Sequence, residues 1–348
     1  MKPPEEIKNC FCKVEYGGVK MKRLECFGIV ILLNLSLWVF GSFLSRTAFA
    51  ASADFPTKEI TIIVNYAPGG AGDIIARGVG KTMSKYLGVP MVIMNMPGAG
   101  GARGLISLYH SAPDGYTIGT GTPSDIIRQV VEKTNYDSKK FTYIGNAQAS
   151  PSFLFVKPDS PFRSVKDFKA FGKPLRYSTF NLTSATAVAT MVLANREGFP
   201  LLIVGGYQGS SASILALIRG EVEFTGSLLS SATPFLQDKL MRPILTIYPH
   251  RYPGFLDILT VRELGYPDLE GLGNNYWFIA PPGVPKARIK ILEDSLMKTL
   301  KDREFLEWAK KAGVDLGPMS GEELKKKVFN LFGFLEQYKG DIGKYIKK

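Results

Sequence analysis

The chain has 348 residues, 45% hydrophobic and 21% charged, with a formal net charge of +12. That length accommodates two domains of ordinary size, and the apolar share supports a packed core and excludes a disordered chain. All three cysteines, Cys10, Cys12 and Cys26, lie near the N-terminus, which excludes an internal disulfide or a cysteine-based metal site in the remainder.

The N-terminus reads as an export signal. Met21-Lys22-Arg23 gives a positive start, Phe27 to Leu44 is almost wholly apolar and uncharged, and Ala48-Phe49-Ala50 is a small-x-small cleavage pattern. Residues 1–50 are therefore assigned to an N-terminal extension and signal, with cleavage expected after Ala50 and a periplasmic product. An uncleaved anchor is the alternative, because the apolar run approaches membrane-spanning length. Met21 is a second candidate start. Setting aside the seven basic and four acidic residues of that segment leaves a net charge of about +9. Such a charge suits an anionic small molecule or a membrane surface, and export argues against nucleic acid. The densest basic cluster, Lys325-Lys326-Lys327, falls in a helical pattern and reads as a solvated face.

Ile60–Asn65 is a predicted strand, followed by a Gly-rich turn. Ile75, Val79, Met83 and Leu87 then recur at helical spacing up to Gly88, a left-handed stop. Met91–Met94 is a second strand and Pro97–Gly101 a second Gly-rich turn. A helix through Tyr109, the turn Pro113-Asp114-Gly115 and a strand at Tyr116–Gly119 complete a βαβαβ unit, which implies parallel strands with right-handed crossovers. No element is assigned between Gly119 and Phe153. The alternation then resumes: strands at Phe153–Val156, Leu175–Ser178, Leu201–Val204, Val222–Gly226 and Ile244–Ile247, and helices at Ser164–Phe168, Thr183–Arg196 and Ser210–Arg219. A late strand, Tyr276–Ala280, precedes a helix carrying Ile289, Leu292, Leu296 and Leu300. The capping box Ser320–Glu323 opens a last helix. Two α/β lobes with a cleft between them follow, with ligands expected where strands end and helices begin.

Three chemistries compete for the glycines. A phosphate loop fails because Gly80-Lys81-Thr82 lies inside a helix and Ile75 occupies the position of the first glycine. Hydrolysis has little to work with: the two histidines, His110 and His250, sit in or beside turns, without a G-x-S-x-G elbow. No catalytic residue, metal ligand or cofactor is assigned. Anion capture fits best, since Pro68–Gly72 and Gly98–Gly101 each follow a strand and open a helix, leaving free amides for a carboxylate without an Arg clamp. Asp73 in the first helical turn either caps the helix or holds a water or ligand ammonium.

The residues Asn65-Tyr66-Ala67-Pro68-Gly69-Gly70-Ala71-Gly72-Asp73, then Asn95-Met96-Pro97-Gly98-Ala99-Gly100-Gly101, Pro113-Asp114-Gly115-Tyr116-Thr117, Tyr207-Gln208-Gly209-Ser210, Gly220–Glu223 and Ala280–Pro285 stand in an order that resembles the Bug (TctC-like) family. These are extracytoplasmic receptors of tripartite tricarboxylate transporters. The resemblance covers Phe55 to Ile342. It implies a two-lobe periplasmic-binding-protein (Venus-flytrap) fold, each lobe a mixed, mostly parallel sheet flanked by helices. Lobe 1 is expected over residues 54–148 and lobe 2 over 149–270, with the return crossing and C-terminal helices of lobe 1 over 271–348. The implied function is capture of a small organic carboxylate by a monomer and its delivery to membrane permease subunits. An exported sensor or adaptor for a signalling partner is the alternative. The implied ligand site comprises Tyr66, Gly69, Gly70, Asp73, Ala99, Gly100 and Gly101 of lobe 1, with Thr183, Gly209 and Ser210 of lobe 2. The chain departs from the family pattern at Asn65, where proline is usual, and at Phe180–Thr186, which lacks the usual glycines and histidine. It departs again at Asn275-Tyr276-Trp277. Asn65 is either a ligand contact or a tie between the turn and its neighbour.

Overall fold

The computed structural model describes residues 55–346; the signal and cleavage assignments lie outside them. The first unit is parallel. β1 (Ile60–Val64) pairs with β2 (Met91–Asn95) on one side and β3 (Thr117–Gly121) on the other. The crossovers are α1 (Ala71–Leu87) and α2 (Ala102–Tyr109). α1 buries Ile75, Val79, Met83 and Leu87 at helical spacing and stops at Gly88, whose φ of 72° is the left-handed cap. Gly80-Lys81-Thr82 lies inside this helix, so its amides serve the helix.

An unassigned helix follows at once. α3 (Pro123–Val131) opens on a reciprocal capping box of Thr122 and Asp125, with proline at its first position. β4 (Thr142–Ser150) was also missed, because its buried Asn146 and Gln148 break the apolar pattern of a strand. Their amides are bonded: Asn146 donates to the carbonyls of nearby Gln148 and distant Gly317, and Gln148 donates to the Ser150 hydroxyl, while the two side-chain oxygens are buried without a hydrogen-bond partner.

After the single residue Pro151 the chain continues as β5 (Ser152–Val156) in a second sheet. That sheet adds α4 (Asp167–Ala170), β6 (Leu175–Ser178), α5 (Ala185–Glu197), β7 (Leu201–Val204), α6 (Ser210–Ile218), β8 (Phe224–Leu228), α7 (Leu229–Gln237) and β9 (Arg242–Thr246). The chain returns through β10 (Asn274–Ala280), α8 (Lys286–Thr299), α9 (Arg303–Lys311), β11 (Leu316–Ser320) and α10 (Gly321–Ile346). The first sheet has the order β11-β4-β10-β3-β1-β2 and the second β7-β6-β8-β5-β9. Each is mixed. Parallel pairing is confined to β2-β1-β3 and to β7-β6-β8, where helical crossovers connect the strands. The remaining pairs are antiparallel, because the chain enters and leaves each lobe along neighbouring strands. This is the two-lobe α/β fold.

The two crossings touch. Ser150 pairs with Asn274, and the Asn274 amide donates to the Ser152 hydroxyl at 2.6 Å and to the Thr186 hydroxyl at 3.2 Å. A third connection is α10, which packs against α3 and β4 of the first sheet's lobe and against α5 of the second. α5 is consequently buried on every side from Ala185 to Ala194, which explains its lack of a polar face. Asn195 and Arg196 at its end bond to Asp341 and Tyr338 of α10.

Candidate functional site

The first lobe gathers three helix N-termini around one aromatic ring. Tyr66 follows β1. A Cβ on Gly72, in the first turn of α1, would lie 3.7 Å from the Tyr66 ring, and one on Gly101, the N-cap of α2, 3.4 Å from it. The Tyr66 hydroxyl lies 3.3 Å from the hydroxyl of Thr122, the N-cap of α3. Burial raises the Tyr66 pKa well above its ordinary value, reinforced by the nearby Asp125 carboxyl. The phenol therefore stays neutral and able to donate. Three helix starts, each a positive dipole end, thus converge on one end of the sheet.

Each Gly-rich turn is set by a different device. In the first, Asp73 is buried, and its Oδ2 accepts from the Gly69 amide and from Arg77 Nε, both at 2.9 Å. Its Oδ1 accepts from the Asn95 amide at 2.9 Å. The Arg77 hydrogen bond is the main cause of an Asp73 pKa lowered to about 2. The carboxylate is therefore spent on shaping the loop. The Gly70 amide points back toward the Ala67 carbonyl at 3.4 Å, a long bond. In the second turn Gly98, Ala99, Gly100 and Gly101 all have positive φ. This run folds the backbone tightly over the end of β1, and Gly104 supplies the close approach: a Cβ there would fall 2.9 Å from Asn65 Cα.

Asn65 is 1% exposed. Its side-chain oxygen accepts from the Thr120 hydroxyl at 3.0 Å and its amide donates to Asp125 at 3.4 Å. It ties β1 to β3 and α3 from below the cleft. Asp125 is buried, accepts the Thr122 amide at 2.6 Å, and has its pKa pushed up to about 7 by burial.

The second lobe meets the first through Arg128. Its Nη2 lies 3.3 Å from the Gly100 carbonyl and 3.4 Å from the Thr183 hydroxyl, while Nη1 donates to Glu132 at 3.1 Å. Arg128 and Thr183 border an interlobe cavity of about 370 Å³ lined by Arg128, Glu132, Thr179 to Thr183, Gly205, Gly206 and Ile346. Thr183 is buried, and both its amide and its hydroxyl donate to Asn181 Oδ1 at 3.0 Å. Ser184 caps α5, and Gly209, with φ of 91°, caps α6, whose first residue is Ser210. Of the ten residues expected at the site, Tyr66, Gly100 and Gly101 cluster in lobe 1, and Gly100 is joined to Thr183 through Arg128. Of the ten only Thr183 lines this cavity: Gly69, Gly70, Gly209 and Ser210 at helix starts do not, nor do Tyr66, Asp73, Ala99, Gly100 and Gly101. A larger cavity of about 610 Å³ lies between the crossing strands and α10 and contains none of the ten.

Sequence reading does not place Arg128 against Gly100 and Thr183. The capping box at Thr122 and Asp125 was legible and would have placed it on a helix, but nothing local points its side chain at Gly100. Both histidines are exposed, and among the described residues no cluster of metal-ligating side chains occurs. No helix among them is long and apolar enough to cross a membrane.

A two-lobed α/β scaffold with helix N-termini gathered at the sheet end beside an interlobe cavity defines a solute-receptor class of protein. Residues 75–330 match the family described as tripartite tricarboxylate transporter family receptor, and the chain belongs to that family. It is 27% identical over 292 residues to a UPF0065 protein of Bordetella pertussis, covering 81% of this chain and 89% of that protein. It is 26% identical over 287 residues to Protein BugT of the same organism, covering 78% and 86%. Among solved structures it resembles R. palustris Rpa4515 with adipate, with 26% identity, a TM-score of 0.70, and coverage of 83% of this chain and 99% of that one.

Proposed function

We propose that this chain is a periplasmic receptor that captures a small organic carboxylate between its lobes and delivers it to the membrane subunits of a tripartite-type transporter. The observation that carries the reading is the convergence of the α1, α2 and α3 N-termini on Tyr66. Backbone amides and aligned dipoles bind a carboxylate without burying a counter-charge, and exclusion of water on closure strengthens each bond. The family assignment and the adipate-bound relative support the same class of ligand. The mechanism is hinge closure about the paired crossings at Ser150 and Asn274, with lobe 2 bringing Thr183 over the anion.

A thermal-shift screen of mono-, di- and tricarboxylates, with sulfonates, amino acids and sugars alongside, tests the reading. A carboxylate is expected to raise Tm, since binding to the folded state alone stabilises it by mass action. A rise with another class and none with any carboxylate overturns it.

A further inference from the structure

We infer that the cavity between the crossing strands and α10 is a second binding site, which takes an amphipathic organic anion with its acid group on Lys327 and its apolar body against α10. The inference does not depend on what the cleft binds.

The first support is the cavity itself. Its volume, about 610 Å³, is that of a small-molecule site. Its walls come from both lobes and from both crossings. Ser150 and Asn274 lie on the crossings, Tyr248 follows β9 of the second sheet, and Met319 belongs to β11 of the first. One stripe of α10, from Glu323 to Phe334, closes the remaining side.

The second support is an under-compensated cation. The run Lys325-Lys326-Lys327 reads from sequence as a solvated face, but Lys327 turns inward. Its Nζ donates to Asn275 Oδ1 at 3.1 Å, and Asn275 is 2% exposed. An ammonium has three donors, and this acceptor is neutral. Burial pushes the Lys327 amine below its ordinary value, although the Glu270 carboxylate pulls the other way. The charge is thus desolvated more than its surroundings repay, and an incoming anion restores the balance.

The third support is that the acids around the cavity already have donors. Arg196 holds Asp268 with both terminal nitrogens, and Arg262 holds Glu270 with two bonds at 2.6 and 2.7 Å. Glu323 accepts the Ser320 amide and hydroxyl, both at 2.8 Å. With those two arginines counted, Lys326 and Lys327 leave one more positive than negative charge around the cavity. The donors left over call for a ligand that accepts. The rest of the lining is largely apolar: Leu331, Phe334, Met319 and Pro249 offer a surface for a ring or a branched chain.

The test is fluorine NMR titration of the purified protein with para-fluorophenylacetate, its neutral amide para-fluorophenylacetamide, and the cation para-fluorophenethylamine. The anion is expected to bind at least tenfold more tightly than either analogue. Lys327→Met is expected to weaken the anion by roughly tenfold or more and to leave the amide unchanged, as loss of a charge-assisted bond requires. Lys327→Arg, which keeps the charge, is expected to retain most of the affinity. A crystal structure of the complex is expected to show the ring against Leu331 and Phe334. Binding of the amide or the amine as tightly as the anion overturns the inference, as does an anion affinity untouched by Lys327→Met or a ring found in the cleft. Should Lys327→Met fail to fold, the preference of wild type for anion over amide and the place of the ring decide the matter. None of these outcomes bears on the reading of the cleft.

Discussion

The backbone amide of Gly69 donates to the buried carboxylate of Asp73 at 2.9 Å, closing the first Gly-rich turn onto its own helix. The same carboxylate takes Arg77 and Asn95, so one side chain fixes the loop, the helix and the neighbouring strand end. Asp73→Ala is expected to cost about 1–3 kcal/mol, because three donors lose their acceptor. The urea midpoint measures this. The pH dependence follows from the lowered pKa of about 2. The carboxylate's contribution is fully present above its unfolded value near 4 and is lost as pH falls toward 2. Asp73→Asn is expected to shrink the loss of stability on acidification between pH 4 and 2; an acid limb identical to wild type contradicts this.

Asp125 works in the opposite sense. Its pKa is raised to about 7 by burial, so the folded state holds a proton that the unfolded chain releases near pH 4. Stability from this group therefore declines as pH rises from about 4 to about 7, and is flat above, by an amount on the order of a few kcal/mol. Asp125→Asn keeps an acceptor for the Thr122 amide and is expected to flatten that slope. Chemical denaturation at pH 5 and pH 8 compares the two; an unaltered difference in the variant rules the assignment out.

Gly70 separates folding from binding. It sits in extended backbone with φ of −78°, and a Cβ there meets only the Ala67 carbonyl at an ordinary 3.5 Å. Gly70→Val is expected to leave stability within about 0.5 kcal/mol of wild type, as for an uncrowded surface position. Binding of the carboxylate found by thermal shift should be abolished if the ligand rests against this backbone. Retained affinity removes the first turn from the site.

Asn65 is expected to be structural. Asn65→Ala leaves the buried Thr120 hydroxyl without its acceptor and removes one of the donors to Asp125, which keeps the Thr122 amide. A loss of about 1–3 kcal/mol follows. The rank order of acids bound should be unchanged, because the side chain is buried beneath the turn. A changed order, measured by calorimetric titration, makes it a ligand contact.

The legible parts of the molecule were those written in neighbouring residues. The βαβαβ unit, the stop at Gly88, the Ser320–Glu323 cap and most of the second sheet's strands follow from apolar spacing and turn chemistry, which act within a few residues. Bounds shifted by at most three residues, as with α5, which begins after the Ser184 cap, at Ala185, and not at Thr183. β4 was illegible because the buried Asn146 and Gln148 interrupt its apolar pattern, Asn146 reaching the distant Gly317 carbonyl, and β11 because Leu316–Ser320 forms a strand only through its pairing with β4. The sequence marks the two glycine turns as candidate anion sites, but leaves the role of Asp73 open between cap and ligand contact. Its partner Asn95 lies on another strand, and whether its oxygens were free or taken depended on that contact.

The sequence by itself determined where the chain turns sharply, which segments are amphipathic, and the family to which the ordered motifs point, since each of these depends on covalent spacing. The tertiary structure decided which helix starts meet at Tyr66, that α10 braces both lobes, and that Arg128 lies across Gly100 to Thr183. That last contact joins residues 55 positions apart. The reason is physical: a side chain's charge is a property of its residue, but what that charge faces is set by packing that brings distant segments together.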